Sequence, residues 1–321
     1  MDQRKLIKFG KSAYCITLPH EWIKKNNLHK GDNIGVSETL RNTLEVLSTT
    51  LPSIEHDSLD IDISGKSIDE IIQVLLATYL NGYSKITLQG INSGKVAQIR
   101  KHVQEFIAAE VMEVTSNRIV IHVFWDIKNL NLDSIIQRTS IIIKAINSET
   151  IELLDNGSNL RDITEKGLEV KRQVLLGRRA IKYALNHPSV AQKFKLSPLE
   201  LLYVSYLIYF FGMIAEYIVV IAETISLLKL PKVLKPKAKK DMKDMLSKVS
   251  EYFIAVIGLY NKKDKKSTFV LSEYNEFEKS INTYRENNNG NSQIIAEYLK
   301  MIIAKIKETQ LIMISMENAP K

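Results

Sequence analysis

Seven cations crowd the first thirty residues of this chain: Arg4, Lys5, Lys8, Lys11, Lys24, Lys25 and Lys30. Only Asp2 and Glu21 oppose them, so this stretch carries an excess of +5 out of the chain's net +8. Ammonium and guanidinium groups on a short β-ribbon can contact phosphates and release counterions, and a two-stranded ribbon fits the major groove. Arg4, Lys5, Lys8 and Lys11 flank one predicted turn, and Arg41 adds a cation on a later loop; the plainer reading of all five is a solvated face. A second set is acidic. Glu165 and Glu169 stand one helical turn apart, and Glu216 and Glu223 stand two turns apart. Such pairs could share a hard cation, which needs several oxygen ligands; the plainer reading is interhelical salt bridges.

Catalytic chemistry finds little support. The six histidines, His20, His29, His56, His102, His122 and His187, show no i, i+4 ligand spacing. There is no glycine-rich phosphate loop and no nucleophile elbow. The one cysteine, Cys15, excludes an internal disulfide and reads as a small hydrophobe in a strand. We therefore expect no enzyme. Met1 to Lys8 lacks an apolar core, which argues against a secretory signal and for a reducing cytoplasm. Leu199 to Leu228 is apolar and long enough to span a bilayer, yet it contains Glu200, Glu216 and Glu223. Carboxylates at membrane depth are costly, so the segment is expected to be a bundle-core helix without membrane insertion.

The elements that must hold these residues fall into three parts: 1–50, 51–130 and 131–321. The first reads as strand Lys5–Phe9, turn Gly10–Ser12, strand Ala13–Leu18, a short helix His20–Asn27, and strands Asn33–Val36 and Thr43–Leu47. So little apolar content makes a thin core, which a partner chain would complete. Leu51 to Asp60 reads as a linker. The second part is a small mixed α/β segment: strand Ile61–Ile63, a helix opened by the capping box Ser67–Glu70 and closed at Gly82, strand Lys85–Leu88, helix Val96–Ala108, and strands Val111–Val114 and Arg118–Trp125. The third is all-α. Helices are expected over Asp133–Leu154, Leu160–Leu185, Ser197 to about Leu230, Asp241–Tyr260, Ser272–Glu286 and Gln293–Met316. Lys232 to Lys240 reads as a lysine-rich link dividing six helices into two sets of three. The fold class is α+β.

Two stretches resemble known families. Arg4-Lys5-Leu6-Ile7-Lys8-Phe9-Gly10-Lys11-Ser12, then Ile16-Thr17-Leu18-Pro19, Glu21-Trp22 and Leu28-His29-Lys30-Gly31-Asp32 resemble the AbrB/SpoVT swapped-hairpin domain. The resemblance implies a homodimer with interleaved strands, contacting DNA through basic residues at one end. Ile214 to Glu223 and Glu165 to Leu175 are similar to the PhoU domain, a tandem of three-helix bundles whose acidic motifs hold metal ions. Here Gly212 and Lys171 stand where that family has carboxylates, so the metal motif is eroded and no cofactor is expected. The order of the three parts is similar to that of archaeal phosphate-uptake regulators. It implies a DNA-binding regulator of phosphate uptake or, alternatively, an adaptor docking on a phosphate transporter or signalling protein.

Overall fold

The computed structural model describes residues 3–38, 44–48, 58–155, 157–260, 271–288 and 292–318. The N-terminal part consists of two separate antiparallel hairpins. β1 (Ile7–Phe9) pairs with β2 (Ala13–Cys15), and β3 (Ile34–Glu38) pairs with β4 (Leu44–Ser48). Between them lies α1 (His20–Lys25). The β1–β2 turn needs Gly10, which sits at φ +69°, a region a Cβ disfavours. Strand β2 stops at Cys15, three residues before the expected end, because only Ala13 to Cys15 find partners on β1. Cys15 ends β2, in a strand as expected, and is exposed.

The second part is a four-stranded sheet in the order β5-β6-β8-β7, with β5 parallel to β6 and the other pairs antiparallel. Its elements are β5 (Ser58–Asp62), α2 (Ile68–Leu80), β6 (Lys85–Gln89), α3 (Val96–Val103), β7 (Ala109–Val114) and β8 (Arg118–Val123). The expected capping box forms: the Ser67 hydroxyl accepts from the Glu70 amide, and the Glu70 carboxylate accepts from the Ser67 amide at 2.7 Å. Two boundaries differ from expectation. β5 begins at Ser58 inside the expected linker, because Ser58 to Asp60 register against Lys85 to Thr87. Helix α3 ends at Val103, five residues early, where the chain turns so that Phe106 stacks on Tyr79 at 4.7 Å.

The six expected long helices form as α4 (Leu132–Leu153), α5 (Leu160–Asn186), α7 (Pro198–Leu227), α9 (Pro236–Tyr260), α10 (Leu271–Asn287) and α11 (Ser292–Glu317), with short helices α6 (Pro188–Phe194) and α8 (Leu230–Val233) between them. The lysine-rich stretch is largely helical. Proline needs no amide donor at a helix start, so α9 begins at Pro236, and Lys239 and Lys243 grip Asp155 from one face of it. The two sets of three helices do not stand apart. α7 packs on α4 and α5 and equally along α11, and Asn147 of α4 donates to the Leu246 carbonyl and to Ser250 Oγ on α9 at 2.8 and 2.7 Å. Close approach of α5 to α7 depends on glycine: a Cβ at Gly167 would lie 2.7 Å from Val219, and one at Gly177 would lie 2.8 Å from Ile208.

A buried cation lies where the sheet part meets the helices. Arg179 of α5 is fully buried. Its guanidinium donates to the Tyr79 carbonyl, and at 3.0 Å to the carbonyls of Gly82 and Tyr83, where α2 ends. It also lies over the rings of Tyr79 and Trp125, at 4.8 and 4.6 Å. The Tyr79 carbonyl is in the last turn of α2, the negative end of its dipole, and the other two follow just beyond the helix, so backbone dipoles and rings surround the cation. Burial pushes Arg179 down to about 10, and it stays charged at neutral pH.

Removing this guanidinium strands buried carbonyls and leaves a cavity. Arg179→Ala is expected to lower folding stability by about 3 kcal/mol or more, and Arg179→Lys, which lacks the planar fork, to recover only a fraction. Urea midpoints measure both; a loss below about 1 kcal/mol for Arg179→Ala would contradict the assigned role. A pH effect follows from the buried phenols. Burial pushes Tyr79 up to about 12 and raises Tyr260, which also donates to Asp133, and Tyr274, which donates to Gln310 at 2.6 Å. Each holds its proton more tightly folded than unfolded, so stability is expected to fall as pH rises past the ordinary phenol value of about 10. Arg179 acts in the opposite sense, as one group against four, since burial raises Tyr252 as well. Urea midpoints at pH 8 and pH 11 read the fall, and Tyr79→Phe should shrink it.

Candidate nucleic-acid interface

The hairpin fixes where its cations stand. In the β1–β2 register Lys8 lies opposite Tyr14, while Ile7 faces Cys15 and Phe9 faces Ala13 on the other side of the ribbon. Lys11 is in the turn itself, and Arg4 and Lys5 precede β1. All four cations are exposed and gather along one short ribbon. Arg41 lies outside the described residues. Lys24 and Lys25 close the last turn of α1, where a helix favours positive charge.

Exposure of the apolar side chains is the more informative feature. Leu6, Ile7, Phe9 and Tyr14 are 50–72 % exposed, and Val36 and Leu44 are 59 % and 68 % exposed. No side chain described before Ser58 is buried. Monomeric proteins rarely present so many neighbouring apolar groups to water. In contrast, the sheet and the helices behind it share one continuous buried cluster running from Ile63 to Met313.

The acidic positions are engaged elsewhere. Glu165 pairs with Arg161 at 2.8 Å. Glu169 receives Arg138 at 2.9 Å, Gln173 at 2.9 Å and Arg172 at 3.6 Å. Glu216 and Glu223 are exposed on α7. Lys171 is drawn away to Glu105 of the sheet part at 2.6 Å, and Glu105 also meets His102 at 2.9 Å. Gly212 packs on α5, where an added Cβ would sit 3.2 Å from Val174. Among the described residues no three His, Cys, Asp or Glu side chains are placed to share a metal ion. The residues present do not fit the metal site that the PhoU resemblance implies.

Two features escaped the sequence reading. Arg179 looked like any other helix cation, since nothing local marks it as buried. The segment Leu199 to Leu228, expected to be a bundle-core helix, is core on one side only: Leu201, Val204, Leu207, Ile208, Phe211 and Ile214 are buried, but Tyr206 and Tyr209 are 48 % and 42 % exposed. With Leu199 and Leu202 they form an exposed stripe at helical spacing, and Arg178 lies 5.5 Å over the Tyr209 ring. By length and composition α7 could cross a membrane, although 44 % of its most apolar window is buried against other helices. Comparison with protein-family models, curated proteins and solved structures finds no match to this chain.

The uncovered hairpin faces generate a prediction. Phe9→Asp and Val36→Asp add charge to apolar surfaces that a second copy would cover. The full chain is expected to scatter light as a dimer, and the double variant as a monomer with unchanged helicity. A wild-type monomer, or a variant dimer of undiminished stability, would remove the case for association through this part.

Proposed function

We propose that this protein is a DNA-binding regulator of phosphate uptake, a non-enzymatic cytoplasmic homodimer. Its N-terminal part would be a swapped-hairpin domain, and its long helices a PhoU-like pair of three-helix bundles. The observation that carries the reading is the N-terminal part itself: cations on a ribbon, beside apolar faces left exposed among the described residues. Interleaving two copies would bury those faces and double the cationic ribbon, giving a two-fold surface for phosphates. The tie to phosphate uptake rests on the resemblance of the helical half and on the order of the three parts. The metal chemistry of that resemblance is not carried over.

A second reading, an adaptor that docks on a transporter or signalling protein, draws on the exposed α7 stripe of Leu199, Leu202, Tyr206 and Tyr209. In that case the hairpins would only dimerise.

Salt-dependent DNA binding separates the two. Phosphate contacts weaken all sequences alike when removed, and log K falls with log salt at a slope of about −0.9 per phosphate neutralised. In a symmetric dimer one substitution removes two contacts, so Lys8→Ala and Lys11→Ala should each reduce the slope by roughly 1.8. Fluorescence anisotropy across salt concentrations measures it, with the distant Lys240→Ala as control. Unchanged affinity and slope in both hairpin variants would discard the DNA reading in favour of the adaptor.

A further inference from the structure

A cleft of about 1020 Å³ runs between α9 and α10. Its size lies at the upper end of small-molecule sites, roughly 300–1,000 Å³. Met245 and Tyr252 of α9, seven residues apart, line its floor with Phe277 and Tyr284 of α10, also seven apart; all four are buried, and the Tyr252 and Phe277 rings lie 5.6 Å apart. The walls are polar and change character along the length.

At one end stand Lys235 and Lys237, both exposed. Unlike Lys239 and Lys243, which are spent on Asp155, they have no carboxylate partner among the described residues. The Asn287 amide of α10 adds further donors at this end. The middle is rich in acceptors. Asp241 and Asp244 line it from α9 without a cation partner among the described residues. Across from them the Ser280 and Thr283 hydroxyls donate to the carbonyls of Phe277 and Lys279, at 2.6 and 3.0 Å, so their free lone pairs are acceptors as well. The far end, beside Tyr252, holds Glu273 and Glu276 with Lys248, which is tied to Glu251 at 3.2 Å.

A ligand complementary to this sequence of groups has an anion at one end, hydroxyl donors in the middle and an N–H donor at the other end. A polyamine would meet two free lysines, and a bare phosphate would leave the carboxylates unanswered. We propose that the α9–α10 cleft binds a nucleoside phosphate: phosphates at Lys235 and Lys237, the ribose diol on Asp241 and Asp244, and the amino group of the base toward Glu276. Ser280 and Thr283 accept from the sugar edge. The assignment rests on the cleft alone and is independent of the DNA reading.

Isothermal titration calorimetry of the full chain in EDTA tests it, with ATP, GTP, CTP, adenosine and pyrophosphate as separate probes. At least one of the three nucleotides is expected to bind at one site per chain, more tightly than adenosine or pyrophosphate. Lys235→Ala with Lys237→Ala, both at exposed positions, should raise its Kd by roughly tenfold or more. Asp241→Asn with Asp244→Asn should weaken the nucleotide but not pyrophosphate. Thermal melts of both variants, matching the parent, tie these losses to the cleft. No heat from any of the three nucleotides, pyrophosphate binding as tightly as they do, or affinity untouched by the lysine substitutions would overturn the site.

Discussion

A guanidinium buried without a carboxylate sets the layout of this molecule. Arg179 leaves the middle of α5, passes between the rings of Tyr79 and Trp125, and reaches the carbonyls that end α2. A buried cation is tolerated only where dipoles replace its water shell, and a helix C-terminus supplies several at once. The requirement works in both directions. Helix α2 must stop where it does, with Gly82 at φ +97°, for its carbonyls to converge, and α5 must lie across that end. Neighbouring contacts follow the same line: Lys182 donates to Asn81, Lys171 reaches Glu105 at 2.6 Å, and Lys193 donates to the Ile127 carbonyl at 2.7 Å. The sheet part is thereby held to the helices through Lys171, Arg179 and Lys182 of α5 and Lys193 of α6.

Behind that joint the helices share one core rather than two. α7 is apolar nearly all round, and a helix of that kind must be surrounded. It is flanked by α4, α5 and α11, and the small surfaces of Gly167, Gly177 and Gly212 let α5 close on it. The side that stays open carries Leu199, Leu202, Tyr206 and Tyr209 and then Glu216 and Glu223. Among the described residues no three of the carboxylates that sequence spacing offers to a metal come together in space. Glu165 and Glu169 instead neutralise arginines on α5 and α4.

The N-terminal part obeys a different rule. Two short hairpins and a six-residue helix cannot enclose a core, and Phe9 and Leu44 stay mostly in water. Its apolar residues and its cations share one short ribbon, Lys8 with Tyr14 on one face and Ile7 and Phe9 on the other. That combination links association to charge display: whatever covers the apolar faces also decides how the cations are presented.

Local order was legible in the residues alone. The capping box at Ser67, the turn at Gly10 and the six long helices follow from hydrogen bonds and periodicities that span only a few residues. The α+β class and the cationic first thirty residues come from composition and order. Tertiary structure decided what distance along the chain conceals. Register against β6 moved the start of β5 to Ser58, and stacking on Tyr79 ended α3 at Val103. Asp155 drew Lys239 and Lys243 to one side of α9 and left Lys235 and Lys237 facing the cleft. The burial of Arg179 depends on carbonyls about a hundred residues earlier, and no local pattern records which dipoles will replace a charge's water.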